Sequence, residues 1–106
     1  MRLWFDIKRP APKGWTLVQD YQECCSLLAT KEVTYFSFDD KFKDGKTGYD
    51  IILWMLDNQI FPQQLIQLHT QNPVSRCNMH QILCQQAPQD ITIAIKFQHN
   101  NNNKSE

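Results

Sequence analysis

Apolar residues recur in this chain at two spacings, and the switches between them mark out the elements. Leu3 to Ile7 is a short apolar run, closed by the proline- and glycine-marked loop Lys8-Arg9-Pro10-Ala11-Pro12-Lys13-Gly14. From about Val18 to Thr30, Tyr21, Cys24, Cys25 and Leu28 fall at helical spacing, and Lys31-Glu32 break the run. Val33 to Phe38 is β-branched and aromatic, which predicts a strand. Asp39-Asp40 end it, ahead of the turn-rich Lys43-Asp44-Gly45-Lys46-Thr47-Gly48. A helix from about Tyr49 to Gln59 is apolar around most of its circumference, so it belongs in the core or at an interface. Phe61-Pro62 end it. Gln64 to Leu68 reads as a strand, Val74 to Gln85 as a helix and Asp90 to Phe97 as a last strand. In that last strand Ile91, Ile93, Ile95 and Phe97 alternate with Thr92, Ala94 and Lys96, the pattern of an edge strand with one wet face.

The order is strand, helix, strand, helix, strand, helix, strand. Such alternation implies parallel strands joined by right-handed crossovers. The expectation is one small α/β domain over residues 1–98, with about four mostly parallel strands and three helices in two or three layers. Strand order is not legible. Residues 99–106 read as a disordered polar tail.

Composition narrows the function classes. Eleven Lys and Arg balance eleven Asp and Glu. That excludes a general nucleic-acid binder, which needs surplus basic charge. A small phosphorylated ligand or a nucleic-acid terminus needs only one or two cations and stays open. No apolar stretch is long enough to span a membrane, and Asp6 comes too early for a signal peptide. Cys24, Cys25, Cys77 and Cys84 lack C-x-x-C spacing and read as buried small hydrophobes of a cytoplasmic protein; disulfides or a zinc site are the lesser reading.

Three polar clusters fall at the predicted carboxyl ends of strands: Asp6 with Lys8 and Arg9, Asp39 with Asp40 and Lys41, and His69 with Thr70, Asn72 and Arg76. In open α/β sheets ligands bind beyond those ends. The third cluster also opens a helix, whose N-terminus favours an anion. Each residue has a plainer role beside the functional one. Asp6 and Asp39 suit turns or caps. Asn72 suits the N-cap, with Pro73 at the first helical position. Arg76 in a first helical turn opposes the dipole unless an anion is near. Lys46-Thr47-Gly48 lacks the glycine spacing of a phosphate loop. Trp15 and Trp54 read as core.

The strings 3–15, Ser37-Phe38-Asp39-Asp40, Lys46-Thr47-Gly48-Tyr49-Asp50 and His69-Thr70-Gln71-Asn72-Pro73-Val74-Ser75-Arg76-Cys77-Asn78-Met79 resemble the cyclic-phosphate-processing receiver domain. The resemblance runs from residue 3 to about 85. It implies a shortened receiver-like (flavodoxin-like) fold acting on cyclic phosphates, such as 2′,3′-cyclic RNA ends. The chain departs from the family pattern at two places: Ile7 follows Asp6 where a second aspartate is typical, and Asp40-Lys41 stand where His-Asp is typical. A full carboxylate cluster would take Mg²⁺ or Mn²⁺, with Asp6 and Asp39 as ligands; Lys41 could contact phosphate instead.

These readings yield one leading expectation and two rivals. In the leading one, the domain binds a cyclic nucleotide phosphate or related phosphoester and hydrolyses it. His69 is then the acid or base, Asp6 and Asp39 hold a metal or the nucleophile, and Arg9 and Arg76 neutralise phosphoryl charge. Asp40, Lys41, Thr70 and Asn72 add ligand contacts. The rival is a non-catalytic binding module that has lost part of its acidic cluster. A receiver phosphorylated on Asp39 comes third, with Lys96 its only late strand-end lysine. The apolar second helix also suits a homodimer, although core is its default.

Overall fold

The computed structural model describes residues 1–97. Five short strands, β1 (Arg2–Phe5), β2 (Thr16–Val18), β3 (Tyr35–Phe38), β4 (Leu65–Leu68) and β5 (Thr92–Ile95), form one sheet in the order β2-β1-β3-β4-β5. Every pairing is parallel. Three helices connect them: α1 (Tyr21–Ala29), α2 (Gly48–Asn58) and α3 (Pro73–Gln86).

This topology decides where the helices lie. The steps β2 to β3, β3 to β4 and β4 to β5 all run the same way across the sheet, so right-handed crossovers put all three helices on one face. The step from β1 to β2 runs the other way, so residues 6–15 belong to the opposite face. Burial agrees. Leu3, Phe5, Phe36, Phe38, Ile66 and Leu68 are fully buried and join one core with Cys24, Leu28, Ile51, Ile52, Met55, Met79 and Leu83 from the helices. The alternate positions, Trp4, Tyr35, Ser37, Leu65, Gln67, Thr92 and Ala94, face away from every helix. Over them lies Trp15, edge-on to Trp4 at 5.7 Å and 6.2 Å from Tyr35.

Local chemistry fixes the boundaries. Asp20 caps α1 by accepting the Glu23 N–H at 2.7 Å. Lys31, at φ 64°, turns the chain after α1. Thr47 and Asp50 form a reciprocal capping box on α2, and left-handed Gln59 ends that helix. Asn72 caps α3 through the Val74 and Ser75 N–H groups, with Pro73 at its start, as the sequence predicts.

The structure corrects the expectation at three points. The sheet has five strands rather than four. The added strand, β2, has three residues, too few to show a period, and the helix predicted from Val18 begins only at Tyr21. Finally, all four cysteines are free thiols, but Cys77 and Cys84 are exposed, because α3 turns them to solvent. The edge position of β5 matches its alternation. No helix among the described residues is long and apolar enough to cross a membrane. The predicted tail at 99–106 lies outside the described residues.

Candidate functional site

The sheet reverses its direction of winding at β1 and β3. The chain leaves β1 towards one edge and β3 towards the other, which opens a crevice beyond their carboxyl ends. Asp6 follows β1 and Asp39 follows β3, so both aspartates stand at that switch point. His69 follows β4, next to β3, and its N–H donates to the Phe38 carbonyl at 3.0 Å.

Asp6 is completely buried. Its Oδ1 accepts the backbone N–H groups of Lys8 (2.8 Å) and Arg9 (3.0 Å), which bends the chain into a tight turn. Its Oδ2 lies 3.1 Å from His69 Nε2 and 3.4 Å from Arg9 Nη1. His69 is also completely buried, and its ring stacks on the Trp4 indole at 3.9 Å with planes 7° apart. The Ser37 hydroxyl sits 2.8 Å from His69 Nδ1 and accepts a hydrogen bond from Gln67 Nε2 at 2.9 Å. That chain of donors fixes the tautomer: the Ser37 hydroxyl donates a hydrogen bond to Nδ1, and Nε2–H donates one to the Asp6 carboxylate. Burial lowers the His69 pKa to about 4, although Asp6 and Asp39 pull it the other way. The imidazole is therefore neutral at pH 7.

Above this buried layer is a cavity of about 260 Å³, walled by three loops. Ile7, Lys8 and Arg9 come from the loop after β1; Asp39, Asp40 and Lys41 follow β3; Thr70, Gln71 and Asn72 follow β4. The second loop is held by a Lys41–Thr47 bridge and by the Gly48 N–H donating to the Asp40 carbonyl at 2.6 Å. Glycine is required at 48 because a Cβ there would sit 2.6 Å from the Asp39 carbonyl oxygen and 2.8 Å from Met79 Sδ. Within the second loop Asp39 Oδ1 accepts the Asp40 N–H at 2.7 Å. Three cations thus share the wall with two carboxylates, a hydroxyl and two carboxamides.

Of the residues singled out by sequence, Arg9, Asp39, Asp40, Lys41, Thr70 and Asn72 meet at the cavity. Asp6 and His69 lie beneath its wall. Arg76 is drawn elsewhere: Nη1 donates to the Thr70 carbonyl at 3.2 Å and the guanidinium lies 4.9 Å over the Phe97 ring. Lys96 is not at the site either; its ammonium lies over the Trp4 ring at 5.7 Å. Sequence reading did not single out Gln71, nor the supporting Trp4, Ser37 and Gln67. The last three occupy alternate strand positions facing away from the helices, which would have grouped them had the strand order been known.

Donor atoms of Asp6, Asp39 and His69 lie within 4.8 Å of one another. They nevertheless do not suit Mg²⁺ or Mn²⁺, which prefer several unencumbered oxygens. Both Asp6 oxygens and both His69 nitrogens already have protein partners, and Arg9 brings a fixed positive charge to the same carboxylate. Ile7 and Lys41, which line the cavity beside these aspartates, supply no oxygen ligand.

Comparison with protein families matches residues 1–85, from β1 through most of α3, to the cyclic-phosphate processing receiver domain. Comparisons with curated proteins and with solved structures gave no match. The switch-point crevice, the parallel sheet and the matched length agree: the chain belongs to the cyclic-phosphate processing receiver domain family.

Proposed function

We propose that the cavity beyond β1, β3 and β4 binds the cyclic phosphate of a nucleotide or RNA end. The observation that carries this reading is the gathering of Lys8, Arg9 and Lys41 around one cavity at the switch point. A cyclic phosphodiester spreads one negative charge over two non-bridging oxygens. A guanidinium with two flanking ammonium groups matches that charge, and Arg9 is already aimed by Asp6. The N-terminus of α3, reached through Gln71 and Asn72, adds positive potential. The volume lies just below the roughly 300–1,000 Å³ of drug-sized pockets, which suits a phosphate with its sugar.

In the hydrolytic form of this reading, a water oxygen bonds to phosphorus as one ring P–O bond breaks. Asp39 takes the proton from that water, and a lysine ammonium of the wall, Lys8 or Lys41, gives one to the leaving oxygen. His69 acts through Asp6, holding its carboxylate and hence the Lys8–Arg9 turn. A binding module without turnover is the second reading. Ile7 and Lys41, in place of the family's acids, favour it.

Calorimetric titration with 2′,3′-cyclic nucleotides in EDTA tests the proposal. Saturable binding is expected, weakened about tenfold or more in Arg9→Gln, the scale of a lost charge-assisted contact. Binding that needs added Mg²⁺, or that ignores Arg9→Gln, would overturn it. Phosphorus NMR on the same mixture separates the two readings: a new monoester signal marks the enzyme, and its absence marks the binding module.

A further inference from the structure

Parallel sheets are almost always covered on both faces, because helical crossovers pack on each side. Here all three helices share one face. Among the described residues only the connection at residues 6–15 lies on the other. Two rows cross that open face in register: Leu17-Trp4-Ser37-Gln67-Ala94 and Arg2-Tyr35-Leu65-Thr92. Leu17 is 40% exposed, and Tyr35, Leu65, Gln67 and Ala94 are half-buried.

The five strands bring only cations to this side, although the whole chain is neutral; the Asp6 carboxylate at its carboxyl end is buried and already paired with Arg9 and His69. No strand contains Asp or Glu, and neither does the stretch 7–15. Arg2 and Lys96 lie on the face, and Lys13 is exposed on the connection. Arg2 and Lys96 rest on aromatic rings, at 5.1 Å over Tyr35 and 5.7 Å over Trp4, rather than on carboxylates. The indole N–H of Trp4 is buried here with no acceptor among the described residues.

We propose that this open sheet face docks an acidic amphipathic helix of a partner protein. The layer rule supplies the helix: a sheet face with an apolar strip is completed by an amphipathic helix. The unopposed cations supply the partner's charge, since carboxylates flanking its apolar stripe would meet Arg2 and Lys96. Nucleic acid fits less well. Base stacking needs a bare ring face, and Trp4 is 3% exposed, covered by His69 and Lys96. A second copy of the chain would bring the same cations together.

The test is a titration of the ¹⁵N-labelled full chain with two stapled helical peptides as long as α3, 14 residues. Both carry the same leucine stripe, flanked by Glu in one and by Lys in the other. The acidic peptide is expected to shift the amides of Tyr35, Leu65, Gln67 and Ala94 and the Trp4 and Trp15 indole signals. Arg2→Glu with Lys96→Glu should weaken it about tenfold, as reversal of two exposed charge pairs allows. The spectrum of that variant shows that it is folded. The proposal is overturned if the acidic peptide leaves those signals unmoved, if the basic one moves them equally, or if a single-stranded oligonucleotide moves them at lower concentration. Dilution-dependent signals on this face, marking a dimer of the chain itself, would overturn it too. None of these outcomes depends on cyclic-phosphate binding.

Discussion

The two faces of this sheet are built from the same strands and do opposite work. On one side Leu3, Phe5, Phe36, Phe38, Ile66 and Leu68 meet three helices and are fully buried. On the other, one residue along, Trp4, Ser37 and Gln67 form a polar and aromatic layer that ends in His69 and Asp6. Stability comes mainly from the first face. The second holds the switch-point carboxylate in position, so the site rests on the side with least cover.

Mutation of neighbouring strand positions would expose this division most sharply. Phe36→Ala, on the helix side, should cost about 3–5 kcal/mol in urea unfolding. Tyr35→Ala, one residue away, should cost under about 1 kcal/mol, as expected for a half-exposed residue. Similar losses at both would erase the asymmetry.

His69 supplies the next largest effect, through pH. Its folded pKa, about 4, lies below the unfolded value of 6.5, so the unfolded chain binds the extra proton between them. Stability held at pH 7 is therefore lost as pH falls from about 6.5 towards 4. The loss is on the order of 3 kcal/mol for this group. His69→Gln should flatten that part of the stability profile. An equally steep profile in the variant would mean that His69 is not the group being titrated.

Two smaller effects probe the loops around the cavity. Gly48→Ala should cost about 1–3 kcal/mol, because the new methyl meets the Asp39 carbonyl oxygen and Met79. Its thermal melting should fall together with ligand affinity, since the same clash moves Asp39. Asn72→Ala should cost about 1 kcal/mol through lost capping of α3. A loss near zero would show that the cap is dispensable.

How much of this could be read from the sequence depended on whether the decisive contacts were local. The cap at Asn72-Pro73, the edge character of β5 and the clustering of Asp39, Asp40 and Lys41 are local, and the sequence predicts each of them. β2 is not legible, because three residues carry no period. The placement of His69 beneath the cavity was equally hidden, since it depends on Trp4, a residue 65 positions earlier in the chain, stacking on its ring. Arg76 is similar: its contact with the Phe97 ring depends on where β5 ends. The open face follows from strand order, which the sequence does not disclose.

The most direct test of the cavity as a cyclic-phosphate site is a ¹⁵N–¹H spectrum of the protein titrated with a 2′,3′-cyclic nucleotide in EDTA. The account predicts saturable shifts at the amides of Lys8, Arg9, Asp40, Lys41, Gln71 and Asn72, with the outer surfaces of α2 and α3 unmoved. Shifts confined to those helices, or none at a ligand concentration that saturates the calorimetric signal, would contradict it.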